Sequence, residues 1–160
     1  MILAASGAKD LTEIVDQFEN ISEVSVALEN AGLKKVRVII GIDYTASNER
    51  QGKVSFGGRN LHHIDPEIRN PYQQVIATLG EALASFADDG CIPVFGFGDK
   101  ASEDKSVFPL VPQNGTCNGF EEVLSAYTKI TPTIALWGPT SFSPIIKKAM
   151  EVVKKNGNVC

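Results

Sequence analysis

Asp43-Tyr44-Thr45-Ala46-Ser47 sets one carboxylate and two hydroxyls at alternate positions of a five-residue stretch. Carboxylate and hydroxyl oxygens are hard donors, the kind that Mg2+ gathers into a near-octahedral shell. A third hydroxyl, Thr140, lies far along the chain in Gly138-Pro139-Thr140-Ser141, directly ahead of a helical pattern. Hydroxyls are neutral, so a site built mainly from them leaves a divalent cation under-compensated. Such a site favours a carboxylate supplied by another molecule, which is recognition chemistry and breaks no bond. The motif has a plainer reading as well, because Ser and Thr after a strand commonly stabilise a turn.

Other chemistry-bearing residues are weaker signals. Asp99 also follows an apolar run, Cys91 to Phe97, and could act as a further ligand, a water-mediated contact or a turn cap. His62 and His63 are adjacent, and neighbours on an extended segment point to opposite faces, so they are expected to be packing or surface residues. Gly96-Phe97-Gly98 lacks the third glycine and the following helix of a dinucleotide fingerprint. Cys91, Cys117 and Cys160 are odd in number without metal-ligand spacing, and are expected to be free thiols in a reducing compartment. The rival to binding is a Mg2+-dependent, phosphatase-like hydrolase with Asp43 as nucleophile. That chemistry needs a second acid two residues on as general acid, and the position holds Thr45.

These groups need elements to position them. Val36 to Ile42 is nearly continuously apolar, as expected of a central parallel strand covered on both faces, and it runs into Asp43. Sites in open α/β sheets lie beyond the carboxyl ends of such strands. The first thirty residues read as helix: Asp10 caps a segment carrying Leu11, Ile14, Val15 and Phe18, and Ser22 caps a second that ends before Gly32. Residues 48–70 form a long polar connection. Asn70-Pro71 starts a helix whose apolar face is Val75, Ile76, Leu79, Leu83 and Phe86. Strands are expected over Cys91–Phe97 and Val107–Leu110, and an extended piece over Ile134–Trp137. Asn118 with Glu121 opens a helix in capping-box fashion, and a last helix runs from about Phe142 to Lys155, stopped by Gly157. Alternating strands and helices predict an α/β fold with a largely parallel sheet.

Bulk properties narrow the function classes. The net charge of −4 argues against nucleic acid or an anionic membrane as the main partner, since both are held by clustered Lys and Arg. No apolar run approaches the roughly 18 residues of a membrane span. The N-terminus has neither the basic region nor the apolar length of a secretory signal, which predicts a cytoplasmic location.

Ordered blocks along the chain resemble the copine-type von Willebrand factor A domain. They are Gly41-Ile42-Asp43-Tyr44-Thr45-Ala46-Ser47-Asn48, Ser55-Phe56 through Leu61-His62-His63-Ile64, Asn70-Pro71-Tyr72-Gln73, Pro93 to Asp99, Cys117 to Leu124, and Gly138 to Ile146. The resemblance covers roughly residues 17 to 160. It implies a doubly wound, mostly parallel sheet flanked by helices, bearing a metal-ion-dependent adhesion site. Asp43, Thr45 and Ser47 would be the ligands of its first loop and Thr140 that of its second, with Asp99 near the rim as a further candidate. Thr45 stands where the wider family more often has Ser, a change that copines share. Tyr44, Asn48 and Ser141 would form the partner-binding rim.

The cation implied is Mg2+, with Mn2+ or Ca2+ as alternatives, and the partner is a protein with an exposed acidic residue. The family's last ligand is an acid after the next strand, beyond Cys160, so the resemblance implies a domain truncated at its C-terminus. On this reading residues 1–32 are a helical lead-in and 33–160 the incomplete A domain. The expected function is divalent-cation-dependent protein binding rather than catalysis. Two family architectures frame it: copines place calcium-dependent lipid-binding domains before such a domain, and plant-type RING ubiquitin ligases place a RING finger after it. Membrane recruitment or ubiquitin transfer would then reside outside this chain.

Overall fold

The computed structural model describes residues 2–5, 18–83, 85–86, 90–112 and 115–154. Two strands form its centre: β2, Arg37–Asp43, and β3, Cys91–Phe97. They run parallel, with Ile40 opposite Val94 and Asp43 opposite Phe97. Burial is continuous from Val38 to Ile42 and from Ile92 to Phe97, as befits strands covered on both faces.

On one face Val38, Ile40, Ile42, Ile92 and Val94 join a core with Ile76, Phe120, Val123 and Tyr127. Those partners come from helices α3, Pro71–Leu83, and α4, Gly119–Ile130. On the other face Ile39, Phe95 and Phe97 pack on Ile145 and Ala149 of α5, Ser143–Lys154. Each buried side chain of this size favours the fold by about 1.5–3 kcal/mol. The expected α/β architecture of a helix-flanked sheet is therefore present.

The sheet is mixed rather than mostly parallel: among the described strands β2 and β3 are the parallel pair, and the margins are antiparallel. Residues Ile2–Ala5 form β1, antiparallel to the outer edge of β2. The short strands β4, Val107–Pro109, and β5, Thr116–Asn118, pair antiparallel with the later and earlier parts of β3. The reading of the first thirty residues as helix is corrected here: Ile2–Ala5 is strand, because an apolar tetrapeptide can satisfy the unpaired groups along β2. A helix, α1, does occupy Ile21–Asn30 before Gly32. Its cap is Asn20 rather than Ser22, with Asn20 Oδ1 accepting from Glu23 N at 3.1 Å. The segment from Asp10 to Val15 and the stop at Gly157 lie outside the described residues.

Asn70 caps α3 as expected, and the cap is reciprocal. Asn70 Oδ1 accepts from Gln73 N at 2.9 Å and Gln73 Oε1 from Asn70 N at 3.0 Å. Val75, placed on the apolar face from sequence, is 55% exposed. At α4 the acid that reaches back is Glu122, accepting from Asn118 N at 2.6 Å, and not Glu121. The polar connection after residue 47 contains an unexpected helix, α2, Ser47–Ser55. Cys117 is free and buried, and burial pushes its thiol up to about 11. Cys91 is disulfide-bonded, against the expectation of free thiols; it stands at the partly exposed start of β3.

Candidate functional site

The site is built where β2 ends. Asp43 emerges there and turns the chain, its Oδ1 accepting from Thr45 N at 2.8 Å. Thr45 is 0% exposed, tucked over Gly98, where a Cβ would run into the Thr45 methyl. Gly98 also has φ +77°, a conformation that side chains disfavour, so glycine is required on both counts.

The second loop is brought alongside by main-chain pairing. Thr45 bridges Trp137 in parallel fashion, and Ala46 N donates to Trp137 O at 2.9 Å. The extended piece expected over Ile134–Trp137 thus carries Thr140 to the first loop. Phe142 secures the far side of that loop, its ring tilted against Phe97 with centroids 5.7 Å apart.

Three hydroxyls converge as a result. Thr45 Oγ1 lies 3.0 Å from Ser47 Oγ and 2.9 Å from Thr140 Oγ1, beside the turn that Asp43 closes. Adjacent oxygens of an octahedral Mg2+ shell, at about 2.1 Å from the ion, lie about 3.0 Å from one another. The donor set fits a hard divalent cation in atom type and in spacing. The same separations suit O–H···O hydrogen bonds, which satisfy the hydroxyls when no ion is bound. Among the described residues no three His, Cys, Asp or Glu side chains converge. Asp43 is the carboxylate whose turn these hydroxyls adjoin. Thr45 is buried and Thr140 exposed, so the cluster opens to the surface on the Thr140 side.

The remaining predicted residues fall differently. Asp99 caps its own turn, Oδ1 accepting from Ser102 N at 3.0 Å and also from the Ser102 hydroxyl, and Oδ2 from Ala101 N at 3.1 Å. No hydrogen bond joins it to the hydroxyl cluster. Tyr44 and Asn48, expected on the rim, are both buried and cannot meet a partner there. Tyr44 alternates inward from Asp43 and bonds Thr131 Oγ1 through its hydroxyl at 2.8 Å. Asn48 is drawn beneath the loop, its Nδ2 donating to Asp43 O at 2.9 Å and Thr45 O at 3.0 Å. Ser141 is partly exposed beside Thr140. The surface next to Ser47 is a shallow depression of about 570 Å³ lined by Ser47, Arg50, Gln51, Val54 and Ser55.

Beneath the site lies a polar network that the sequence did not disclose. His62 Nε2 is 2.7 Å from Asp43 O, and Nδ1 is 2.8 Å from Tyr127 Oη. A carbonyl only accepts, so Nε2 carries the proton and Nδ1 accepts from the tyrosine. The ring is stacked between Tyr44, at 4.7 Å, and Tyr72, at 4.0 Å. Burial pulls the imidazole down to about 4, against the opposing pull of the Asp43 carbonyl and charge. Burial likewise raises the phenols of Tyr44, Tyr72 and Tyr127, which remain hydrogen-bond donors. His62 was placed among packing histidines and is one; the carbonyl it holds, 19 positions away, left no mark on local sequence.

Comparison with known proteins bears on the same blocks. The family model Copine matches residues 60–159. Over 155 residues the chain is 47% identical to Copine family protein 1 of Caenorhabditis elegans, covering 97% of this chain and 14% of that protein. It is 47% identical over 146 residues to E3 ubiquitin-protein ligase RGLG5 of Arabidopsis thaliana, covering 91% of this chain and 34% of that one. E3 ubiquitin-protein ligase RGLG4 of the same plant is 46% identical over 143 residues, covering 89% of this chain and 35% of the ligase. The chain spans about a third or less of the length of these relatives.

Proposed function

The chain belongs to the copine family, and from that premise we propose that it is a divalent-cation-dependent protein-binding module which engages an acidic group of its partner. The observation that carries this reading is that the Ser47 and Thr140 hydroxyls lie 3.0 Å and 2.9 Å from the Thr45 hydroxyl, beside the carboxylate-bearing turn of Asp43. Asp43, Thr45, Ser47 and Thr140 would hold the ion, Mg2+ by donor type, with Mn2+ or Ca2+ as substitutes. One carboxylate leaves net positive charge at the open, Thr140 side, and a partner's Asp or Glu would offset it there. When bound, the cation supplies that attraction and a fixed direction of approach.

Binding is favoured over hydrolysis by the residue two positions after Asp43. A phosphatase-like reaction needs a proton donor there. Thr45 is fully buried, and a threonine hydroxyl is no general acid near neutral pH. Relatives named ubiquitin ligases favour a larger assignment in which this domain selects the protein on which a module outside the chain acts. Among the described residues no helix is long and apolar enough to cross a membrane.

The test is capture of an immobilised glutamate-rich peptide by the 160-residue chain in Mg2+ and in chelator, with the matching glutamine-rich peptide as control. Retention only by the glutamate peptide and only with Mg2+ is expected. Equal retention of both peptides, or Mg2+-dependent cleavage of an aryl phosphate that Asp43→Asn abolishes, would overturn the reading.

A further inference from the structure

We propose that His62, Asn48 and Tyr72 are positioning residues for the candidate cation site, acting through the main-chain carbonyl of Asp43. The cation arm of the argument rests on the function proposed above; the geometric arm stands without it.

Two strong donors point at that one carbonyl, His62 Nε2 at 2.7 Å and Asn48 Nδ2 at 2.9 Å. A carbonyl oxygen has two lone pairs, and these two short contacts are its principal hydrogen bonds, with the longer Tyr72 contact a shared third. Tyr72 then fixes the second of them. Its single hydroxyl proton is shared between Asn48 Oδ1 at 2.8 Å and Asp43 O at 3.1 Å. This tells the Asn48 amide which end faces Asp43 and leaves its Nδ2 bridging the Asp43 and Thr45 carbonyls.

The three side chains come from three separate elements. Asn48 lies in α2, Tyr72 in the first turn of α3, and His62 in the turn between them. Each is held in turn. His62 N donates to Asn60 Oδ1 at 2.9 Å, its ring is stacked on both sides, and Nδ1 is met by Tyr127 of α4. Tyr127 is tied to Asn70, the cap of α3, whose Nδ2 donates to it at 3.1 Å.

What the clamp fixes is the peptide plane between Asp43 and Tyr44, whose N–H donates to Phe97 O at 2.9 Å; the next peptide carries the Thr45 N–H that holds Asp43 Oδ1, so a loosened clamp is felt there one link on. A general contribution to stability would not need to converge on that plane. Mg2+ tolerates little departure from octahedral geometry, whereas Ca2+ accepts irregular shells of six to eight oxygens. Loosening the clamp should therefore harm Mg2+ binding more than Ca2+ binding.

The experiment uses the whole chain, wild type, Tyr72→Phe, His62→Ala and His62→Gln. Amide hydrogen exchange is followed without metal, and Mg2+ and Ca2+ affinities are measured by calorimetry. In Tyr72→Phe and His62→Ala the Thr45 amide should exchange about fivefold to tenfold faster, the effect of losing one hydrogen bond, while Ile40 and Val94 amides keep their protection. The Mg2+ Kd should rise about tenfold and the Ca2+ Kd clearly less, with His62→Gln partly restoring both readouts because its amide can donate from near the Nε2 position. Unchanged Thr45 exchange in the folded variants, or equal acceleration of Thr45, Ile40 and Val94, would overturn the proposal and leave these residues as general supports. Faster Thr45 exchange with no cation binding by the wild type would uphold the clamp and overturn the cation reading alone.

Discussion

Asp43 shows how one residue can face two ways. Its carboxylate closes the turn that carries Thr45, while its carbonyl belongs to the buried network of His62, Asn48 and Tyr72. That network carries a pH signature. An unfolded imidazole takes up a proton near its ordinary 6.5, but His62 in the fold resists protonation down to about 4. The unfolded chain therefore binds more protons between those values. Stability from this group is full above pH 6.5 and is lost as pH falls toward 4, by about 3 kcal/mol at most. Urea unfolding midpoints measured from pH 7.5 to 4.5 should fall with acid, and His62→Gln should flatten the part of the slope centred near pH 5–6. An identical slope in that variant would assign the acid sensitivity elsewhere. Asp43 and Thr140 stood out as candidate ligands because an acid after a buried strand, and a hydroxyl ahead of a helix, are local patterns. Tyr44 and Asn48 were misplaced on the rim because burial is decided by what packs over them, the His62 ring and the Asp43 carbonyl.

At the scale of elements, α2 and the turn after it set the site's floor. Gly52 lets the two touch: a Cβ there would run into the Arg59 carbonyl and stand 2.7 Å from Leu61 N. Leu61 N in turn donates to Asn48 O at 3.2 Å. Gly52→Ala has an ordinary helical advantage in propensity, yet it should destabilise the chain by about 1–3 kcal/mol through this overpacking. Chemical denaturation would show it, and a gain in stability would mean that the turn moves freely away from α2. The helix was missed from sequence for a related reason. Its buried residues are Asn48 and Gly52, so no apolar face with helical period exists to be read. By contrast α3 was legible in its cap and its period, and β2 and β3 in their unbroken apolar runs. The marginal strand β4 was legible as the expected strand over Val107–Leu110, whereas β5, at three residues, is too short to carry a pattern.

At the scale of the molecule, the sheet supplies a rigid edge and the loops supply the chemistry. Asp43 and Phe97 end neighbouring parallel strands, which places both following turns at one end of the sheet, with the Trp137–Thr140 segment laid between them. The parallel pair at the centre, with Asp43 at the end of β2, was legible in the sequence pattern; the pairing of the later segment with both turns was not. Nor did that pattern predict the antiparallel β1 along β2, because pairing across more than thirty residues leaves no local trace. The central claim is that this end of the sheet binds a divalent cation through Asp43. Calorimetric titration of Mg2+ into the 160-residue chain and its Asp43→Ala variant tests it most directly. One-site binding by the wild type, weakened at least about a hundredfold in a variant that still unfolds cooperatively, is the expected result. No binding by the folded wild type, or equal binding by both proteins, would contradict the account.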